Sequence, residues 1–155
     1  QAPFTLADFE ILPGVPDALD RLHRAGFLLV LVTNQPDVVR GLASRDQVEV
    51  IHAHLRRTLP LDDIRVCFHD DVDGCACRKP APGMLYAAAV ALDITLGDSY
   101  LVGDRWRDVG AGRSAGCTTI LVESDRDEPT TIEPHVRVPG LSEAATWILE
   151  HAEKA

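Results

Sequence analysis

Residues 27 to 36 read Phe27-Leu28-Leu29-Val30-Leu31-Val32-Thr33-Asn34-Gln35-Pro36. The first six are apolar without alternation, which marks a strand buried on both faces of a parallel sheet. Small polar residues and a proline then follow, where such a strand must end. Upstream, Pro13-Gly14 introduce Val15, Ala18, Leu19 and Leu22 at helical spacing. Gly26 closes that helix, with Arg21, His23 and Arg24 in its last turns, where cations suit the helix dipole. Downstream, Ser44 and Gln47 form a capping box ahead of the stripe Val48, Ile51, Leu55 and Leu59, and Pro60 ends it. A buried strand between two amphipathic helices predicts an α/β fold.

The alternation continues along the chain. Ile64 to Phe68 reads as a second strand, and Pro82-Gly83 open a helix from Met84 to about Leu92. Ser99 to Gly103 is a third strand, Ala111 to Ala115 a short helix capped by Gly116, and Thr118 to Val122 a fourth strand. After an acidic loop, His135 to Val138 reads as a short edge strand. Leu141 to His151 is a closing helix with Leu141, Ala144, Ala145, Ile148 and Leu149 on its apolar face. Residues 1 to 12 carry no clear helix or strand signal. The expected architecture is a three-layer, Rossmann-like parallel sheet with helices on both faces, in one domain spanning 1–155.

The 155 residues suffice for one sizeable core. With 15 basic and 24 acidic residues the net charge is −9, which argues against nucleic acid or an anionic membrane as partner. No apolar run approaches bilayer length, and the charged-then-apolar order of a signal peptide is missing from the N-terminus. A cytoplasmic monomer is the expectation.

Three of the four cysteines cluster with a histidine as Cys67-x-His69-x5-Cys75-x-Cys77. Three soft sulfurs and one imidazole suit tetrahedral Zn2+, and a reducing compartment favours metal over disulfides, the competing reading. Cys117 lies in an apolar stretch and is expected in the core. Arg78 and Lys79 follow the cluster directly.

In an open parallel sheet ligands bind beyond the carboxyl ends of the strands. Thr33, the Cys67 loop and Asp104 all follow strand ends, so they are expected on one edge. There Thr33 and Asn34 offer hydroxyl, amide and backbone donors, and Lys79 and Arg78 offer a point charge and a planar fork. Asp104 and Asp108 offer the hard oxygens that Mg2+ prefers. Together these describe a phosphate site. Singly, Thr33 also reads as a helix-entry hydroxyl, Lys79 as a solvated surface lysine and Asp108 as a helix N-terminal charge.

Val32-Thr33-Asn34-Gln35, Cys77-Arg78-Lys79-Pro80 and Gly103-Asp104-Arg105-x-x-Asp108 resemble motifs II, III and IV of the haloacid dehalogenase superfamily of phosphatases. The Cys/His loop is similar to that of the zinc-containing branch with heptose-bisphosphate 7-phosphatases and histidinol-phosphatases. Val39-Arg40-Gly41 and the run from Lys79 to Leu85 are closer to the heptose enzymes, and the short His69–Cys75 span is closer to the histidinol-phosphate enzymes. The resemblance covers roughly residues 8 to 150 and implies the family fold without a large cap domain.

It further implies a Mg2+-dependent phosphoric monoester hydrolase acting on a small phosphorylated substrate, with histidinol phosphate as the alternative to the heptose. By position, Thr33 and Lys79 would stabilise the transferring phosphoryl group. Asn34, Gln35, Pro36, Arg78 and Arg105 would line the substrate site. Asp104 would bind Mg2+, Asp108 would support its loop, and Cys67, His69, Cys75 and Cys77 would hold a structural Zn2+.

The family's motif I, a D-x-D ending the first and central strand, has no counterpart ahead of Thr33. Asp71-Val72-Asp73-Gly74 imitates it but lies inside the Cys/His loop, six residues before Lys79 and on the wrong side of motif II. The expectation is therefore a domain without that strand. It is either a fragment, or a relative that binds phosphate without forming the aspartyl-phosphate intermediate. A zinc-dependent interaction module is a third reading. It leaves Thr33, Lys79 and Asp104 at successive strand ends unexplained.

Overall fold

The computed structural model describes residues 15–34, 45–67, 82–123 and 132–154. Their elements run in the order α1 (Val15–Arg24), β1 (Val30–Asn34), α2 (Arg45–Thr58), β2 (Asp63–Cys67) and α3 (Gly83–Leu92). A single 3-10 turn, Leu96–Asp98, precedes β3 (Tyr100–Gly103), α4 (Trp106–Ala115), β4 (Thr118–Val122), β5 (Val136–Val138) and α5 (Leu141–Lys154). This is the helix–strand alternation that the hydrophobic periods predict. Ser44 of the expected capping box lies outside the described residues.

All described strand pairs are parallel. Among the described residues they form two sheets, β1-β2 and β3-β4-β5, with β5 at an edge as its short length suggests. Helices cover both sides of the strands. On one side α1 and α5 bury Ala18, Leu22, Ala144, Ala145 and Ile148 against Leu29, Ile120 and Val138. On the other, Leu85 of α3 and Ala111 of α4 meet Leu101 and Cys117. Tyr100 and Val102 pack with the first cluster and Leu101 with the second, as the two-residue period of a strand demands. Cys117 is a buried free thiol, as expected from its apolar surroundings, and burial raises its pKa.

Polar and aromatic contacts tie the closing helix to the rest. Arg21 donates from Nη1 to Thr146 Oγ1 at 3.1 Å and from Nη2 to the Ser142 carbonyl at 2.8 Å, fastening α1 to α5. The Tyr100 hydroxyl lies 2.7 Å from His151 Nδ1, and Trp147 stacks on the His151 ring at 4.7 Å. Phe27 meets the Tyr100 ring edge-on at 6.0 Å, so the lead-in to β1 joins the same cluster.

Three local differences from the sequence reading have physical causes. The strand expected from Phe27 begins only at Val30, and Leu28 is 51% exposed. Leu29 is instead held beside the segment before β2: its amide donates to Asp62 Oδ2 and its carbonyl accepts from Asp62 N, both at 2.7 Å. Val30, Leu31 and Val32 are half-buried rather than enclosed on both faces, because a cavity of about 830 Å3 lies along β1. Finally, α4 starts five residues before the expected Ala111, at Trp106. Its two glycines weaken the periodic signal, and its start depends on a cap that forms only after β3.

Candidate functional site

The C-terminal ends of β1 and β2 lie side by side: Thr33 is in register with Val66, and Asn34 with Cys67. The backbone that begins the Cys/His loop therefore starts next to the Thr33-Asn34 pair, as the edge argument requires. The side chains of Thr33, Asn34 and Cys67 lie outside the described set, as do Gln35, Pro36, His69, Cys75, Cys77, Arg78 and Lys79. Among the described residues no cluster of three or more His, Cys, Asp or Glu side chains forms a metal site.

The Asp104 end of the site is described in detail. β3 ends at Gly103, Asp104 is exposed, and Arg105 is the N-cap of α4. Asp108, one turn into α4 and 8% exposed, turns its carboxylate back to accept the Arg105 amide at Oδ2, 3.2 Å away. In return the Asp108 amide donates to the Arg105 carbonyl at 3.1 Å, closing the first turn of α4. A Cβ on Gly103 would overlap the Asp108 side chain, so only glycine lets the strand end approach the helix this closely. The Arg107 guanidinium lies over the Trp106 ring, 5.4 Å from its centroid.

Asp108 is thus the N-terminal carboxylate of α4, and through the Arg105 amide it fixes the turn that carries Asp104. Asp104 supplies the hard, solvent-facing oxygen that suits Mg2+, an ion that keeps several of its waters. The donor set fits. For Zn2+, the three sulfurs and the imidazole fit by type, and their arrangement falls on residues outside the described set.

Sequence reasoning missed two histidines in ordered positions. His52 is 8% exposed on α2, and burial, then the neighbouring Arg56, lowers its pKa despite Glu49. His135 Nδ1 accepts from the Thr119 amide at 2.9 Å and lies 2.8 Å from its hydroxyl, while the His135 amide donates to Thr119 Oγ1 at 3.1 Å. Its pKa is lowered by burial, with Arg113 and His151 adding to the effect. Neither the burial of His52 nor the pairing of the exposed His135 with Thr119 leaves a signal in one sequence.

A family model described as HAD-hyrolase-like matches residues 76–149. The D-glycero-beta-D-manno-heptose-1,7-bisphosphate 7-phosphatase of Bordetella bronchiseptica is 40% identical over 124 residues, covering 77% of this chain and 69% of that protein. The protein of the same name from Escherichia coli K12 is 36% identical over 155 residues, covering 92% of this chain and 76% of that protein. The crystal structure of the B. bronchiseptica D,D-heptose 1,7-bisphosphate phosphatase complexed with magnesium and phosphate superposes with a TM-score of 0.85. The identity there is 33%, over 96% of this chain and 89% of that one.

Proposed function

This chain belongs to the haloacid dehalogenase-like hydrolases, in the family of the heptose-bisphosphate phosphatases, and from that premise we propose that it serves hydrolysis of the 7-phosphate of D-glycero-D-manno-heptose 1,7-bisphosphate. The observation that carries this reading is the identity of 36 to 40% with named 7-phosphatases over at least 69% of their length. Thr33 at the end of β1 and Asp104 after β3 stand at strand ends, where a phosphoryl group is held in such sheets.

In this reading Thr33 donates to a phosphoryl oxygen, and Lys79 places a positive charge against the same group as negative charge develops in the transition state. Arg78 and Arg105 grip the remainder of the substrate, with Asn34, Gln35 and Pro36 lining its path. Asp104 is the protein ligand for Mg2+, held in position by the Asp108 cap on Arg105. When bound, Mg2+ neutralises phosphoryl charge and orients the group for in-line attack. Cys67, His69, Cys75 and Cys77 would hold a structural Zn2+, which would shape the loop that presents Arg78 and Lys79. The attacking carboxylate and the general acid belong to a D-x-D motif for which the sequence has no counterpart ahead of Thr33.

The test is phosphate release from heptose 1,7-bisphosphate, histidinol phosphate and simple sugar phosphates, with Mg2+, by a version to which a strand ending in D-x-D has been joined. Preference for the heptose supports the proposal. Faster release from histidinol phosphate selects the alternative substrate, and no release from any of them defeats both. A second reading is a phosphate-binding relative without turnover. Mg2+-dependent binding of inorganic phosphate by the chain as it stands, with no turnover in the joined version, would select it.

A further inference from the structure

We propose that segment 132–135 is a proton-operated flap: the neutral His135 ring latches it to Thr119 of β4, and protonation of that ring releases it while β5 stays in the sheet. This goes beyond the phosphatase reading and does not rest on it.

The latch stands where a sheet would use a carbonyl. Near the end of β4 the Glu123 amide donates to the Val138 carbonyl at 2.8 Å. Every second amide of a strand faces the same neighbour, so that of Thr119, four residues earlier, also faces the β5 side. Its acceptor there is a side chain, His135 Nδ1, at 2.9 Å. In return the His135 amide donates to the Thr119 carbonyl at 3.0 Å and lies 3.1 Å from Thr119 Oγ1. Thr119 is fully buried, so its amide relies on these partners rather than on water.

A proton on the ring reverses this chemistry. Imidazolium carries N–H on both nitrogens, so Nδ1 would become a donor facing the Thr119 donor. The Thr119 hydroxyl, 2.8 Å from Nδ1, can still accept from it, but the buried amide loses its acceptor. The surroundings add to the effect. Arg113 of α4 and His151 of α5 both act electrostatically on His135, and both disfavour its charged form. Thr119 brings no charge from β4. On the flap's own strand, the Glu133 carboxylate lies 3.5 Å from Arg137, and Arg113 Nε donates to the Glu133 carbonyl.

Burial confines the movement to the flap. Glu133 and His135 are exposed and Ile132 and Pro134 half-buried, so little apolar surface holds the segment down. Val138 is 6% exposed and packs in the core with Ile120 and Ala144, which fixes the far end of β5. Thr119 is in register with Leu101, toward the start of β3, whereas Asp104 follows the end of β3. The flap therefore opens at the other end of the strands from the candidate phosphate site.

The experiment is an NMR titration of the full chain from about pH 7.5 to 5. It follows the His135 ring protons and the amide exchange of Thr119, His135 and Glu123, each rate divided by that of an unstructured peptide at the same pH. The expected result is a loss of protection of at least roughly tenfold at Thr119 and His135, with the midpoint of the His135 ring. Glu123 should change less than about twofold. His135→Asn places an amide oxygen near the position of Nδ1 and does not titrate, so it should keep Thr119 protected at pH 5. The parent chain decides the matter even if that variant fails to fold. Thr119 protection unchanged through the ring titration, an equal loss at Glu123, or the same loss in His135→Asn would each overturn the proposal.

Discussion

The carboxylate of Asp108 lies so close to Gly103 that a methyl group on the glycine would overlap it, and the same carboxylate accepts the Arg105 amide at 3.2 Å. One contact thereby sets where β3 ends, where α4 begins and how Asp104 is carried between them. It is the most completely described part of the candidate phosphate site.

Gly103→Ala should therefore act on stability and on the site together. The added Cβ meets a buried carboxylate with little room to retreat, so unfolding in urea should show a loss of about 2 kcal/mol or more. Mg2+-dependent phosphate binding should fall with it. An unchanged midpoint would mean that Asp108 can leave its cap at no cost.

Asp104→Asn separates the two roles. The side chain is exposed, so stability should change by less than about 1 kcal/mol. Calorimetric binding of inorganic phosphate should lose its dependence on Mg2+, because the amide is a far poorer ligand for a hard cation than the carboxylate. Retained Mg2+ dependence would remove Asp104 from the metal site.

The Cys/His loop makes a paired prediction. Lys79→Ala should weaken phosphate binding roughly tenfold, a single charge-assisted contact, while metal content by mass spectrometry stays at one zinc per chain. Cys75→Ser should lower zinc and phosphate binding together, because the metal shapes the loop that presents Lys79. Loss of zinc with phosphate binding intact would uncouple the loop from the site.

His135 makes a prediction about pH. Its Nδ1 accepts the Thr119 amide, so the fold uses the neutral ring, and its folded pKa lies below the ordinary 6.5. Between those two values the unfolded chain binds more protons than the folded one, so stability rises with pH across that window. The contribution is complete above about pH 6.5 and is lost as pH falls toward the lowered value. His52, depressed chiefly by its burial, acts in the same direction. Tm measured from pH 7 to 5 should fall less steeply in His135→Gln than in the parent chain. Parallel curves would show that His135 is not part of the acid response.

Much of the fold was legible in the sequence because its signals are local. The unbroken apolar run at 27–32, the helical stripes and Gly26 and Gly116 mark elements through interactions within a few residues. Gly26 and Gly116 adopt positive φ, +93° and +86°, at the helix ends where each was expected. The placement of Thr33 at the end of β1 and Asp104 just after β3 was also readable, because the hydrophobic runs mark where those strands end.

The early start of α4, the burial of His52 and the His135–Thr119 pair were not legible, since each depends on partners brought together only by packing. The Cys67 to Gly83 loop, so prominent in the sequence, is described at its two ends, where Cys67 stands beside Asn34 and Gly83 opens α3. What the sequence determined by itself is the α/β alternation and the chemistry offered at each strand end. Which described strands pair, β1 with β2 and β4 with both β3 and β5, was decided by tertiary structure. The reason is physical: side-chain periodicity records which face of a strand is buried, whereas the neighbour on its edge is chosen by backbone hydrogen bonds that every residue type supplies alike.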